Sequence, residues 1–373
     1  MTAPAGDSPA EGALRQLAGS GHVVICAGPG GVGKTTCAAA IALEGARMGR
    51  RACVVTIDPA KRLADALGLE SLTNDAHQVD VSAVLGAAPA GELWALMLDT
   101  KTTFDAVVRR NAASEEQARA ILDNKMYRNI SGALGGTQEY MAMEKLYELH
   151  SDGRFDLIVV DTPPTRHALE FLEAPGRLLR FLNNRIFRLL MAPTRASLRA
   201  LGMATQMFFR TLSKVVGGAV VSDAVDFFTA FEGMEEGFRV RARKVEQLIS
   251  DPGTAFVVVA SPRRDAVSEA VYFADRLSAS EQRAAVLVVN RMFPAFGPVP
   301  AALGKASDPA LNALAANLEE LDRVASREEA QVADLAARMP GAPIVRVPFL
   351  SSDVHDLAGL AEVGEWLFGR TGA

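Results

Sequence analysis

Short apolar runs recur along the chain, each ending in a polar or glycine-rich turn. They are Val23–Ala27, Ala52–Ile57, Leu93–Asp99, Phe155–Asp161, Ala255–Ala260, Ala285–Asn290 and Pro343–Val347. Runs of this length, rich in Val and Ile and without polar alternation, predict strands buried on both faces. Helix-forming stretches fill the intervals, first Cys37–Met48, then Lys101–Leu122 and Glu139–His150. Strands alternating with helices predict an α/β fold with a doubly wound, mostly parallel sheet. The pattern changes between His167 and Asp251, where helical periodicity runs on without a strand. That predicts a helical insert over about 168–250, beside additional helical segments at 100–150. Residues 1–15 read as a disordered N-terminus, and 16–373 as the folded domain.

The 373 residues are 49% hydrophobic and 22% charged, which describes a chain with a large core. A net charge of -5 argues against nucleic acid as the partner of the whole surface. Locally the balance reverses. No acidic residue lies between Glu173 and Asp223, while Arg177, Arg180, Arg185, Arg188, Arg195, Arg199, Arg210 and Lys214 do. In the same interval Leu198, Leu201, Phe208, Leu212 and Val215 fall at helical spacing, with Met203 and Met207 beside them. A helical core accounts for this, and so does a polarizable groove rimmed by positive charge. On the second reading Met203, Met207, Phe208, Arg195, Arg199 and Arg210 form a surface for an apolar or membrane-associated client. Met1–Glu11 lacks the basic and apolar regions of a secretory signal, and no run of ~18 mainly apolar residues exists. A cytoplasmic protein, at most peripheral at a membrane, is the expectation. Cys26, Cys37 and Cys53 show no metal-ligand spacing and read as small buried hydrophobes.

The chemistry concentrates after the first strand, in Gly28-Pro29-Gly30-Gly31-Val32-Gly33-Lys34-Thr35-Thr36. A G-x-x-x-x-G-K-[ST] segment between a strand and a helix is a nucleotide phosphate site. Glycines let backbone N–H groups converge on phosphate oxygens, and the helix N-terminus adds partial positive charge. Lys34 is placed to reach the β- and γ-phosphates, and the Thr35 hydroxyl to complete a Mg²⁺ shell. Asp161 closes its apolar run as a carboxylate near that metal would. Asp58, at the end of another run, faces the crevice where α/β sheets bind ligands. It equally fits a helix N-cap before Lys61–Leu67.

Four segments together resemble one family: Gly28–Thr36, Asp58-Pro59-Ala60, Asp161-Thr162-Pro163-Pro164-Thr165-Arg166-His167 and Val288-Val289-Asn290. They are similar to the arsenical-pump and tail-anchored-protein-targeting ATPases, dimeric P-loop proteins with a deviant Walker A motif. Val347-Pro348-Phe349-Leu350 resembles, more weakly, that family's adenine loop. The resemblance implies a P-loop NTPase with a helical insert, acting as a Mg²⁺-dependent, nucleotide-driven dimeric switch. It implies that Asp58 orients the attacking water while Lys34 and the loop amides of Gly30, Gly31, Val32, Gly33, Thr35 and Thr36 hold phosphate. Thr35 would bind Mg²⁺ directly and Asp161 through water, with Asn290, Pro348 and Phe349 at the base. Position 293 is Phe, where guanine recognition usually needs Asp, so ATP is favoured over GTP.

The departures carry information too. The family's signature lysine is here Pro29, the His-Asn pair after the Asp-Pro-Ala turn is Lys61-Arg62, and a usual Gly is Arg166. The zinc-binding C-x-x-C and the arsenite-binding cysteine trio of relatives are missing, so neither zinc nor arsenite is expected. Three functional readings stay open. One is an ATPase handling an apolar client. Another is a positioning ATPase of the partition or septum type. The third is a catalytically weak ATP-binding subunit completed by a paralogue in a heterodimer. A homodimer would need its cation from elsewhere, and Arg166 is the candidate.

Overall fold

The computed structural model describes residues 9–370 except 59, 88, 126, 128–136, 185–217, 281, 298 and 301–307. At 137–138, 165–169, 171, 218–222 and 225 only the backbone is described. The chain forms two compact units, one of residues 1–97, 152–169 and 252–373, the other of 98–151 and 170–251.

The first unit is built on the sheet. Helix α1 (Pro9–Ser20) precedes strand β1 (Val23–Ala27), which leads through the glycine loop into α2 (Lys34–Arg47). Then come β2 (Arg51–Thr56), α3 (Arg62–Ala66), β3 (His77–Val79), α4 (Ser82–Leu85) and β4 (Glu92–Met97). The chain passes through the second unit and returns as β5 (Leu157–Asp161). It leaves again along α8 (Thr165–Asn183) and comes back as β6 (Thr254–Ala260), α11 (Arg264–Ala279) and β7 (Ala284–Met292). The last elements are α12 (Pro309–Ala337), β8 (Ile344–Pro348) and α13 (Leu357–Leu367).

The strand order is β3-β4-β2-β5-β1-β6-β7-β8, parallel throughout except for the antiparallel edge strand β3. Strands β1 and β5 are buried at every position, which is why they read as unbroken apolar runs. Register sets the site: Cys26 of β1 and Thr56 of β2 both pair with Asp161 at the carboxyl end of β5. Ligands of open α/β sheets bind at that end, where the strand order reverses.

The N-terminus corrects one expectation. Residues 9–15 are helical, not disordered, and Leu14 and Ala18 of α1 are fully buried in the main core. Arg15 also donates to the Phe368 carbonyl at 2.6 Å, which ties α1 to the residue that follows α13 (Leu357–Leu367). Leu14, Leu17 and Ala18 carry the helical spacing, but the glycines and prolines before them mask it.

The second unit contains α5 (Thr100–Asn111), α6 (Glu115–Leu122), α7 (Thr137–Asp152), most of α8, α9 (Gly218–Phe231) and α10 (Glu235–Ile249). The helical stretch expected over Lys101–Leu122 is broken at Ala112–Ser114, because Ser114 is extended and caps α6 by accepting from Gln117 N. The core of this unit is aromatic, with Phe227, Phe228, Phe231 and Phe238 in ring contact along α9 and α10. Glu144 of α7 is buried there between Arg241, at 2.5 Å, and Arg110. The expected client residues Arg195, Arg199, Met203, Met207, Phe208 and Arg210 lie outside the described residues.

Candidate functional site

The glycine loop leaves β1 and stops at Gly33, whose φ of 94° caps α2 from the left-handed region. A Cβ at Gly33 would also strike the Asn290 side-chain nitrogen, so two independent constraints require glycine here. At Gly28 a Cβ would run into the Val259 carbonyl of β6, which packs the start of the loop against the sheet. The first N–H groups of α2 have no acceptor within their own helix, so they are available to an anion.

Lys34 opens that helix. Its ammonium is buried and donates to the Pro29 carbonyl at 2.8 Å, folding the side chain back over the loop. Burial pulls the lysine below its ordinary range, and Asp161 is the main influence opposing that shift. The Thr35 hydroxyl donates to Asp161 Oδ2 at 2.8 Å, and the Thr56 hydroxyl donates to the same oxygen at 2.9 Å. Asp161 is 1% exposed, and its other oxygen, Oδ1, has no hydrogen-bond partner. Burial pushes this carboxyl up, against the two threonine hydroxyls and Lys34. A buried carboxylate oxygen without a donor is costly to leave unmatched. Hydroxyl and carboxylate oxygens are the donor set of a hard divalent cation, and the residues here fit Mg²⁺.

Asp58 lies across the same cavity. It is not a helix cap: α3 begins at Arg62 and has Lys61 at its cap position, without a side-chain cap bond. Instead Asp58 Oδ1 accepts from Ala60 N at 3.0 Å, a local turn, and Asp58 N donates to Thr56 Oγ1 at 3.3 Å. Thr56 therefore links the Asp58 loop to Asp161, a role that reading the sequence did not assign. Its signal was available: a threonine closing an apolar strand two residues before an aspartate.

The cavity is about 480 Å³ and brings together Gly31, Gly33, Lys34, Thr35, Thr36, Asp58, Asp161, Asn290, Pro348 and Phe349. That is within the size of small-ligand pockets. Val32 is buried beneath the loop, and Gly30 faces a neighbouring cavity of about 560 Å³ with Pro29. Asn290 is tied to the loop, donating to the Val32 carbonyl at 2.9 Å and accepting from Arg291 N. Arg291 was not foreseen. It has a φ of 62°, outside the usual range for a residue with a side chain, and donates to the Gly31 carbonyl at 3.0 Å. Phe349 is 65% exposed at the mouth. Arg166 falls in the first turn of α8, where only the backbone is described.

Burial pushes the Cys26 thiol up and the Cys37 thiol to about 12, so neither is a nucleophile at neutral pH. Among the described residues no cluster of three or more His, Cys, Asp or Glu side chains could hold a metal ion, and no helix is long and apolar enough to cross a membrane.

Comparison with known proteins agrees with this geometry. An "ATPase GET3" of Malassezia globosa is 25% identical over 63% of this chain and 62% of its own. The "Arsenical pump-driving ATPase" of Escherichia coli is 26% identical over 72% of this chain and 39% of its own. "ATPase GET3B" of Arabidopsis thaliana is 28% identical over 72% and 63%. The chain thus spans less than two thirds of the length of each of these relatives. The family described as anion-transporting ATPase matches residues 21–298, from two residues before β1 to beyond β7. A match of that extent, covering the glycine loop, Asp58, Asp161 and Asn290, means that the chain belongs to the anion-transporting ATPase family.

Proposed function

We propose that the chain binds ATP with Mg²⁺ at this cavity and hydrolyses it. The observation that carries the reading is the Thr35 hydroxyl bonded to a buried strand-end Asp161 that keeps one oxygen unpartnered, with Asp58 across the cavity. Thr35 and Asp161 would hold Mg²⁺, Asp161 through water; the ion supplies charge neutralisation on the phosphates. Lys34 and the loop amides stabilise phosphate charge, and Asp58 orients the attacking water. Pro348 and Phe349 offer an apolar surface to the base. Asn290 lines the same cavity; one of its N–H groups is held by the Val32 carbonyl and its oxygen accepts from Arg291 N, which leaves a second N–H and a second lone pair for a base.

The family resemblance supports a dimeric switch, and the acid-free interval between Glu173 and Asp223 supports an apolar or membrane-associated client. A second reading is favoured by Pro29. It is buried, carries no N–H, and lends its carbonyl to Lys34, so it brings no positive charge to a partner's nucleotide. On that reading the chain binds ATP and needs a paralogous subunit, or its own Arg166, to hydrolyse it well. Calorimetric titration with Mg·ATP, paired with phosphate release, tests the main reading. Lys34→Ala should abolish binding, and Asp58→Asn should retain binding and lose turnover. Parental turnover in Asp58→Asn would remove it as the water-orienting group. Pro29→Lys raising turnover while Arg166→Ala changes little would favour the subunit reading.

A further inference from the structure

Four carboxylates and three lysine or arginine side chains line the cavity, so its wall offers no net positive charge to a polyanion. The three cations are held differently. Lys34 is buried on the Pro29 carbonyl and Arg291 rests on the Gly31 carbonyl, both at hydrogen-bond distance. Among the described residues Arg62 has only an ion pair with Asp58, Nη1 to Oδ2 at 3.6 Å, and its side chain is 64% exposed. At that length and exposure the pair contributes little, so a stronger anion can take the guanidinium away. A terminal phosphate is such an anion, because it carries more negative charge than the Asp58 carboxylate and offers arginine three acceptor oxygens, two of which can take parallel N–H bonds. Arg62 is also within reach of the phosphate end of the cavity. It lies near enough to Lys34 that its charge helps to depress the lysine, after burial.

We propose that Arg62 is a terminal-phosphate sensor. It is parked on Asp58 in the free protein and moves onto the last phosphate of a bound nucleoside triphosphate, which uncovers Asp58 Oδ2. Asp58 Oδ1 keeps its bond from Ala60 N throughout, so the carboxylate stays oriented while its second oxygen opens. Charge on the ligand and availability of the water-orienting oxygen thereby become a single event. A diphosphate, lacking the last group, leaves the ion pair closed. This inference rests on the ATP reading above, and it adds a cation within the chain that does not depend on a partner subunit.

The test compares binding of Mg²⁺ with a non-hydrolysable ATP analogue and with ADP, by calorimetry, in the parent, Arg62→Ala, Arg62→Lys and Asp58→Asn. Loss of a charge-assisted bond should weaken analogue binding roughly tenfold in Arg62→Ala, and leave ADP binding within about twofold. Arg62→Lys should recover part of the loss. Asp58→Asn should bind the analogue more tightly than the parent, because the competitor for Arg62 is gone. An Arg62→Ala variant whose ratio of analogue to ADP affinity matches the parent's would overturn the sensor and leave the ATP reading standing. A parent that binds neither nucleotide would overturn both.

Discussion

Asp161→Asn should make the ligand-free protein more stable while removing its response to Mg²⁺. The carboxylate is 1% exposed and receives hydrogen bonds of 2.8 and 2.9 Å at one oxygen, with nothing at the other. Asparagine keeps an acceptor for both threonine hydroxyls and replaces the ionised, undonated oxygen by a neutral amide. An unmatched buried polar group costs about 1–3 kcal/mol, and more when charged. The difference between the charged and neutral cases places the gain at about 1–2 kcal/mol. For a cooperative unit of this size that raises Tm by roughly 2–8 °C. The pH dependence has a definite sign. Burial holds the Asp161 carboxyl above its ordinary range in the folded state, outweighing Thr35, Thr56 and Lys34. The folded protein then binds that proton more tightly than the unfolded chain, so the associated stability is full at low pH and lost as pH rises through the folded-state value. The advantage of the variant should therefore be largest at neutral pH and close on acidification. Saturating Mg·ATP at 100 times its Kd adds about 2.7 kcal/mol to the parent and should add much less to the variant, reversing their order. Thermal scans from pH 5 to 8, with and without Mg·ATP, measure all three effects. A variant less stable than the parent at pH 7 without ligand would refute the view that burial dominates at this carboxylate.

Gly33→Ala should abolish nucleotide binding and cost about 1–3 kcal/mol of stability, since the positive φ and the Asn290 contact both exclude a Cβ; calorimetry and denaturant titration check it. Leu14→Ala should cost about 2–5 kcal/mol by chemical denaturation, because α1 belongs to the main core; a change under ~0.5 kcal/mol would mean the helix is dispensable. Charge reversal at Arg195, Arg199 and Arg210 should weaken binding to anionic vesicles or an apolar client and reduce its salt dependence, leaving ATP binding intact. Unchanged vesicle and client binding would leave the helical-core reading of that interval.

The central strands were legible because burial on both faces turns them into plain apolar runs, and every strand other than β3 lies within about two residues of its expected place. Strand β3 was not, since its three residues, His77–Val79, pair antiparallel at the exposed edge and carry one buried side chain. That the glycine loop, Lys34, Thr35 and Asp161 share one cavity was legible from local spacing, since a strand–glycine loop–helix segment and a strand-end carboxylate of a parallel sheet converge at the same edge. Thr56, Arg62 and Arg291 act through neighbours that only folding supplies: a strand register, a loose ion pair and a contact across 260 positions of sequence. Asp58 was ambiguous in sequence, as a capping residue and a site residue look alike there; the turn to Ala60 separates them.

The irregularity at the end of β7 has a consequence for how freely this site can change over generations. Pairing between β7 and β8 slips between Val289 and Met292, and the slip contains Arg291. From it one contact runs to the glycine loop, Arg291 to the Gly31 carbonyl, and another to the opposite end of the slip, Phe349 N to the Met292 carbonyl at 2.8 Å. The second uses main-chain atoms alone, so side chains around Phe349 can be exchanged without losing the anchor. The first uses a side chain on a backbone that tolerates few residue types. On the ATP reading proposed above, substitution is therefore easier on the Phe349 side of the cavity than at the glycine loop. If that reading holds, descendants of this chain can retune which base they accept far more readily than they can abandon phosphate.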